Sequence, residues 1–183
     1  MNKILKLTIV LFLVCAVAAG VLGGVNELTK DRIAEQAAAK TREAFAAVMI
    51  ADEFPEVPFD STAFPTVERI NEAVKDGNVI GYVVTSTFSG AQGNITLAVG
   101  VSSDYTCTGI SVIDHSETSG LGANAASTGE VGVNFRAQFI GQDESIALSN
   151  AGGTIDALTG ATITSRSITG AVAESIRVVK SLG

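Results

Sequence analysis

Tryptophan is absent from the 183 residues, and there are two cysteines, one histidine and three prolines. Two cysteines exclude a disulfide framework, and with a single histidine they exclude a histidine-rich zinc site and a cysteine-ligated iron–sulfur cluster. One histidine also leaves little room for a Ser–His–Asp hydrolase. Charge is scarce as well: 17% of residues are Asp, Glu, Lys or Arg, against roughly 25% in ordinary soluble domains. What charge there is leans acidic, with 12 basic and 19 acidic side chains and a formal net charge of -7. Two of the basic residues, Lys3 and Lys6, precede an apolar run, so the remainder is more acidic still. An acidic body argues against nucleic acid as a partner, because phosphates demand basic patches. There is no internal repeat, no charge run and no strand-associated glycine-rich dinucleotide fingerprint.

What the chain does have is one long hydrophobic segment. Residues 7–25 read LTIVLFLVCAVAAGVLGGV, without a charge. As a helix at about 1.5 Å per residue this run reaches roughly 28 Å, close to a bilayer core of about 30 Å. A cleaved signal peptide shares the charged start and apolar stretch, with Ala16–Val17–Ala18 or Val17–Ala18–Ala19 as small-residue sites. A lipoprotein would attach lipid at Cys15, but Val14 is bulky where a small residue is wanted. The run continues past the cleavage candidates to Val25, which favours a retained, single-pass anchor through residues 7–25. Lys30, Arg32, Lys40 and Arg42 beyond it offset Lys3 and Lys6, so loop charge alone leaves orientation open. The signal-anchor arrangement places the domain outside the inner membrane.

The partition expected from the pattern is a stub and anchor over 1–25, a juxtamembrane helix over 26–50 and a folded domain over 51–183. Ile33, Ala37, Ala44, Phe45 and Val48 recur at helical spacing, with Asn26 or Thr29 as candidate caps. The three prolines fall in FPEVPFDSTAFP, a loop. Residues 66–114 carry strand signals: Asp76–Gly77 as a hairpin turn before NVIGYVVTSTF, a second turn at Gly90–Gly93 before ITLAVGV, then CTGISVID. Ser116–Gly132 reads as a long loop with a helical turn. VNFRAQFIG and SIALS look strand-like. Residues 165–182 form a helix, with Ile168, Val172, Ile176 and Val179 on one face and Lys180 in its last turn. The fold class is therefore α+β: an N-terminal transmembrane helix, then a mainly antiparallel twisted sheet with flanking helices. Cys107 reads as a buried small hydrophobe and Cys15 as membrane-facing, which rules out a redox pair.

The chemically informative stretch is Asp156–Ser165, DALTGATITS, directly before that last helix. Read as residues, it is a turn and N-cap, with Gly160 for the bend and hydroxyls for the orphan N–H groups. The same start could hold a phosphate, with Arg166 nearby. The residues leave both readings open.

DALTGAT resembles the flavinylation motif of the FMN-binding subunits of Rnf and Nqr ion-translocating electron-transport complexes. The match falls on Asp156, Thr159, Gly160, Ala161 and Thr162. In that family a flavin transferase joins the FMN phosphate to the hydroxyl of the last threonine as a phosphodiester, which here implies Thr162. His115-Ser116-Glu117-Thr118-Ser119-Gly120-Leu121-Gly122 is similar to the family's glycine loop beside the flavin, with Ser119 where proline is usual. The resemblance implies cofactor-binding roles for Asp156, Leu158, Thr159, Gly160, Ala161, Thr162, Thr164 and Ser165, and for His115, Glu117, Thr118, Gly120, Leu121 and Gly122. Glu117 is expected to hold backbone rather than act as a base, and no metal and no catalytic residue is implied. The short length resembles the G subunit of an Rnf complex more than the C subunit of an Nqr complex. The resemblance further implies an electron carrier with covalent FMN among other membrane subunits, matured by a flavin transferase. Such a complex moves electrons between ferredoxin and NAD and translocates Na⁺ or H⁺. The alternatives are a membrane-tethered binding or structural domain without redox function, and a stand-alone flavinylated reductase.

Overall fold

A computed structural model describes residues 3–182. The first element is one unbroken helix, α1, Lys3–Val48. It carries the one described helix long and apolar enough to cross a membrane. No cap interrupts it at Asn26 or Thr29. The Thr29 hydroxyl instead donates back to the Val25 carbonyl at 2.9 Å, a bond that lets a threonine sit inside a helix. The chain divides between Lys40 and Thr41 into two compact units, so the last turns of α1 belong to the folded unit that follows.

That unit is built on a five-stranded antiparallel meander in the order β1-β2-β3-β4-β5. Its strands are β1 Glu56–Val57, β2 Val67–Lys75, β3 Asn78–Ser89, β4 Asn94–Ser102 and β5 Cys107–His115. Asp76 and Gly77 join β2 to β3 with positive φ angles of 50° and 76°, the two-residue turn whose twist matches a hairpin. The strands expected between residues 66 and 114 and the second turn, closed by Gly90 N–H on Gly93 O at 2.7 Å, are present.

The sheet is covered on both faces, and the two faces differ in side-chain size. Ile70, Val84, Leu97, Val99 and Ile110 project to one side, where Ile168, Val172, Ile176 and Val179 of helix α3 (Thr162–Lys180) meet them. Ala73, Val83 and Ala98 project to the other, against Ala44, Phe45, Val48 and Met49. Successive residues such as Val83 and Val84 therefore serve opposite cores, which is why the strands read as continuous apolar runs. On the α1 side, glycines let the helix end approach the sheet backbone. A Cβ on Gly81 would meet Val101 O, and one on Gly100 would meet Val48 O at 2.7 Å and the Thr108 hydroxyl. Thr108 Oγ1 donates to Val48 O at 2.6 Å, satisfying a helix-terminal carbonyl.

Three local expectations are corrected. VNFRAQFIG is not a strand: Glu130–Ala137 is a helix, α2. The alternation of Val133 and Phe135 is outweighed by the four-residue spacing of Phe135 and Phe139, whose rings meet edge to face at 5.3 Å inside the core. SIALS makes only an isolated bridge, Leu148 with Ile155. The terminal helix starts at Thr162 rather than 165, because the hydroxyls that resemble caps lie within its first turn. Cys107 is 1% exposed, and burial pushes its thiol pKa up to about 12, so it serves as core.

Gly100→Val tests the seating of α1. The added side chain displaces the helix end, and overpacking of this kind costs about 1–3 kcal/mol. We expect a lower Tm by thermal denaturation, with a smaller loss for Thr108→Val, which removes one hydrogen bond worth about 1 kcal/mol.

Candidate functional site

Three segments remote in sequence meet at one end of the sheet: the β3–β4 turn, the loop after β5 and the start of α3. Between them lies a cleft of about 310 Å³, lined by Ala91 and Gln92, by Glu117, Thr118, Leu121 and Gly122, and by Gly160 through Thr164.

Glu117 ties the three together. Its Oε1 accepts from the backbone N–H groups of Ala91 at 2.8 Å and Gln92 at 3.0 Å. Its Oε2 accepts from the Thr164 hydroxyl at 2.5 Å. The residue is buried, and no described salt bridge reaches it. Burial raises the carboxyl pKa, but the hydrogen bonds from Thr164 and the backbone of Gln92, Ala91 and Gly93 outweigh it and hold it below its ordinary value. The carboxylate is packed between two glycines. A Cβ on Gly90 would run into Glu117 Oε1, and one on Gly122 into Oε2 and, at 2.7 Å, the Thr164 hydroxyl. The expected backbone-holding role of Glu117 thus takes a specific form: the backbone it holds is the neighbouring turn's.

The loop before α3 is shaped by its own sequence. Ala161 N–H closes a turn on Leu158 O at 3.0 Å, with Gly160 at the positive-φ place (72°) that glycine adopts without a Cβ penalty. Ser165, buried in the first helical turn, accepts from Leu158 N–H at 3.0 Å and donates to Ala161 O at 2.9 Å. The N-cap residue is Ala161, and no side chain caps the helix. The first-turn amides of a 19-residue helix are therefore free of side-chain acceptors at the cleft, which suits an anion. Thr162, exposed, is the first helical residue there. Leu121 (43% exposed) and Ile163 (60%) give the cleft apolar walls.

Of the residues singled out by sequence, Glu117, Thr118, Leu121, Gly122, Gly160, Ala161, Thr162 and Thr164 line this cleft. Asp156, Leu158 and Thr159 line a separate cavity of about 210 Å³ against α2. His115 lies outside both cavities, its Nδ1 accepting from Glu117 N–H at 3.3 Å. Gly120, with φ of 79°, serves the turn that Leu121 N–H closes on Thr118 O. Sequence reasoning missed Ala91, Gln92 and Ile163. The first two contribute backbone amides, which leave no side-chain signature, whereas an apolar Ile163 at a helix start was a usable signal.

Residues 90–177 match the model of the FMN-binding domain and residues 1–48 that of the RnfG N-terminal region. The first span contains all three cleft segments, and the second ends with α1 at Val48. The G subunit of the ion-translocating oxidoreductase complex of Methanosarcina acetivorans is 35% identical over 97% of this chain and 95% of its own length. The G subunit of the Na⁺-translocating ferredoxin:NAD⁺ oxidoreductase complex of Acetobacterium woodii is 32% identical over 98% and 93%. This chain belongs to the RnfG family. Its relative in Clostridium ljungdahlii, the G subunit of a proton-translocating ferredoxin:NAD⁺ oxidoreductase complex, is 38% identical over 58% of the chain and 57% of its own length. An FMN-binding domain sets aside the reading of a tethered domain without a redox cofactor.

Glu117→Gln gives a pH-dependent stability difference whose sign is fixed. A carboxylate held below its ordinary pKa of 4.5 stabilises the fold above that value and loses the contribution as pH falls through its folded pKa. We expect wild type to melt above the variant at neutral pH. The gap in Tm closes as the solution is acidified.

Proposed function

We propose that this chain is the flavin-bearing electron carrier of a membrane-bound, ion-translocating oxidoreductase complex, with FMN attached as a phosphodiester to Thr162. The observation that carries the reading is the state of the motif's hydroxyls. Thr164 and Ser165 are buried and hydrogen-bonded, Thr159 lines a different cavity, and Thr162 is exposed in the cleft at an uncapped helix start. A diester retains one negative charge, which the dipole and free amides of that start stabilise. The residues present fit the group: amides for the phosphate, apolar Leu121, Ile163 and Ala161 for a flat ring.

FMN, when bound, supplies the redox chemistry, and the protein supplies position and electrostatics. Glu117 keeps the turn and the helix start at fixed spacing. The glycines at 90 and 122 let them approach. In this reading a flavin transferase forms the bond, and residues 7–25 anchor the chain in the bilayer among the complex's other membrane subunits. The domain faces the extracytoplasmic side, and the complex couples electron transfer between ferredoxin and NAD to Na⁺ or H⁺ translocation.

Thr162→Val is the direct test. Covalent FMN is lost, seen as a non-fluorescent band in a denaturing gel and an intact mass without the flavin, while Thr159→Ala still carries it. A fluorescent Thr162→Val protein would place the bond elsewhere. For sidedness, Ser61→Cys, exposed, in a chain with Cys15 and Cys107 replaced, reacts with an impermeant thiol reagent in intact cells. Labelling only after lysis would put the domain in the cytoplasm.

A further inference from the structure

We infer that the Glu117 carboxylate sets the redox potential of the flavin, holding it low by placing a fixed negative charge in the cofactor's own cleft wall. The inference rests on the reading that FMN occupies this cleft, and it concerns what the wall does to the cofactor once there.

Three observations lead to it. The carboxylate is buried and lines the same cleft as Thr162. No described cation pairs with it, since each described salt bridge involves other residues. Its donors, among them Ala91 N–H, Gln92 N–H and the Thr164 hydroxyl, are neutral groups that favour the ionised form without cancelling its net charge. The depressed pKa agrees with this geometry. A neutral side chain of the same shape would serve to hold the loops together, because a glutamine accepts from both amides and donates to the threonine oxygen. The charge adds stability to the fold, and it also bears on whatever the cleft holds, as a neutral side chain of the same shape would not. Shielded from water, such a charge acts over several ångströms far more strongly than it would in solvent.

An electron taken up by the flavin without a proton adds a negative charge to the cleft. The carboxylate opposes that charge, so the reduced form is disfavoured and the midpoint potential falls. The donor is whichever reduced partner feeds the complex, and the electron leaves to its oxidised acceptor, so the carboxylate is neither consumed nor oxidised. Thr164 modulates the effect. Its hydroxyl points the positive end of its dipole at Oε2, which offsets part of the field.

The experiment is a mediator-coupled spectroelectrochemical titration of the full-length, FMN-loaded chain in detergent, with flavin fluorescence in a denaturing gel as an independent check of attachment. Glu117→Gln, which keeps the hydrogen bonds and removes the charge, shifts the midpoint to higher potential. Glu117→Asp, which keeps the charge on a shorter arm, shifts it less. Thr164→Val, which keeps the charge and removes one donor, shifts it the opposite way, to lower potential. An unmoved midpoint in Glu117→Gln would overturn the inference, as would an equal shift in the Gln and Asp variants, which would assign the effect to loop geometry. If Glu117→Gln does not fold, Thr164→Val decides alone: a downward shift supports the inference and no shift or an upward one overturns it. Loss of gel fluorescence in the wild-type chain would count against the Thr162 linkage, and the midpoints of the bound flavin would still read the charge.

Discussion

A buried carboxylate held by neutral hydrogen-bond donors, with no salt-bridge partner among the described residues, governs the geometry of this domain's working end. Glu117 joins a turn, a loop and a helix start that are separated by more than twenty residues in each direction along the chain. Buried ionised groups are costly unless fully hydrogen-bonded, and here the cost is offset by specific partners that exist only in the assembled fold. Glycines at 90 and 122 are part of the same arrangement, since side chains there would occupy the space of its oxygens. The spacing of the three cleft segments thus follows from the hydrogen bonds of one residue.

The sheet beneath supplies the rigidity that such an arrangement needs. Its two faces are specialised by size: branched aliphatics toward α3, and alanine and glycine toward the end of α1. The first face forms an interdigitated core with a long amphipathic helix. The second brings helix and sheet backbones close enough for Thr108 to reach the carbonyl of Val48. The loops that form the cleft emerge from strand ends fixed on both sides.

Sequence made the sheet legible because its signals are local. Asp76–Gly77 demanded positive φ, and the Val- and Ile-rich runs beside it could only be strands. The last helix was legible from its four-residue apolar spacing, but its start was not, because threonine and serine in a first turn look the same as caps in front of one. Helix α2 was misread because a short segment with Val133, Phe135 and Phe139 satisfies both periodicities, and tertiary packing of the two rings decides between them. The motif from Asp156 to Thr162 was visible as a unit, yet its two halves face different cavities, a division that only the turn at Gly160 creates. The partners of Glu117 on the β3–β4 turn leave no side-chain signature, since any residue but proline could donate those amides.

The seating of α1 sets where this chain can be cut. Ala44, Phe45, Val48 and Met49 complete the second core, so a fragment beginning near residue 41 keeps both faces of the sheet covered. One beginning at residue 51, after the helix, leaves an open apolar floor of small residues and a stranded Thr108 hydroxyl. A protease acting on the membrane-proximal stretch would release an intact domain or a sticky one according to a difference of a few residues.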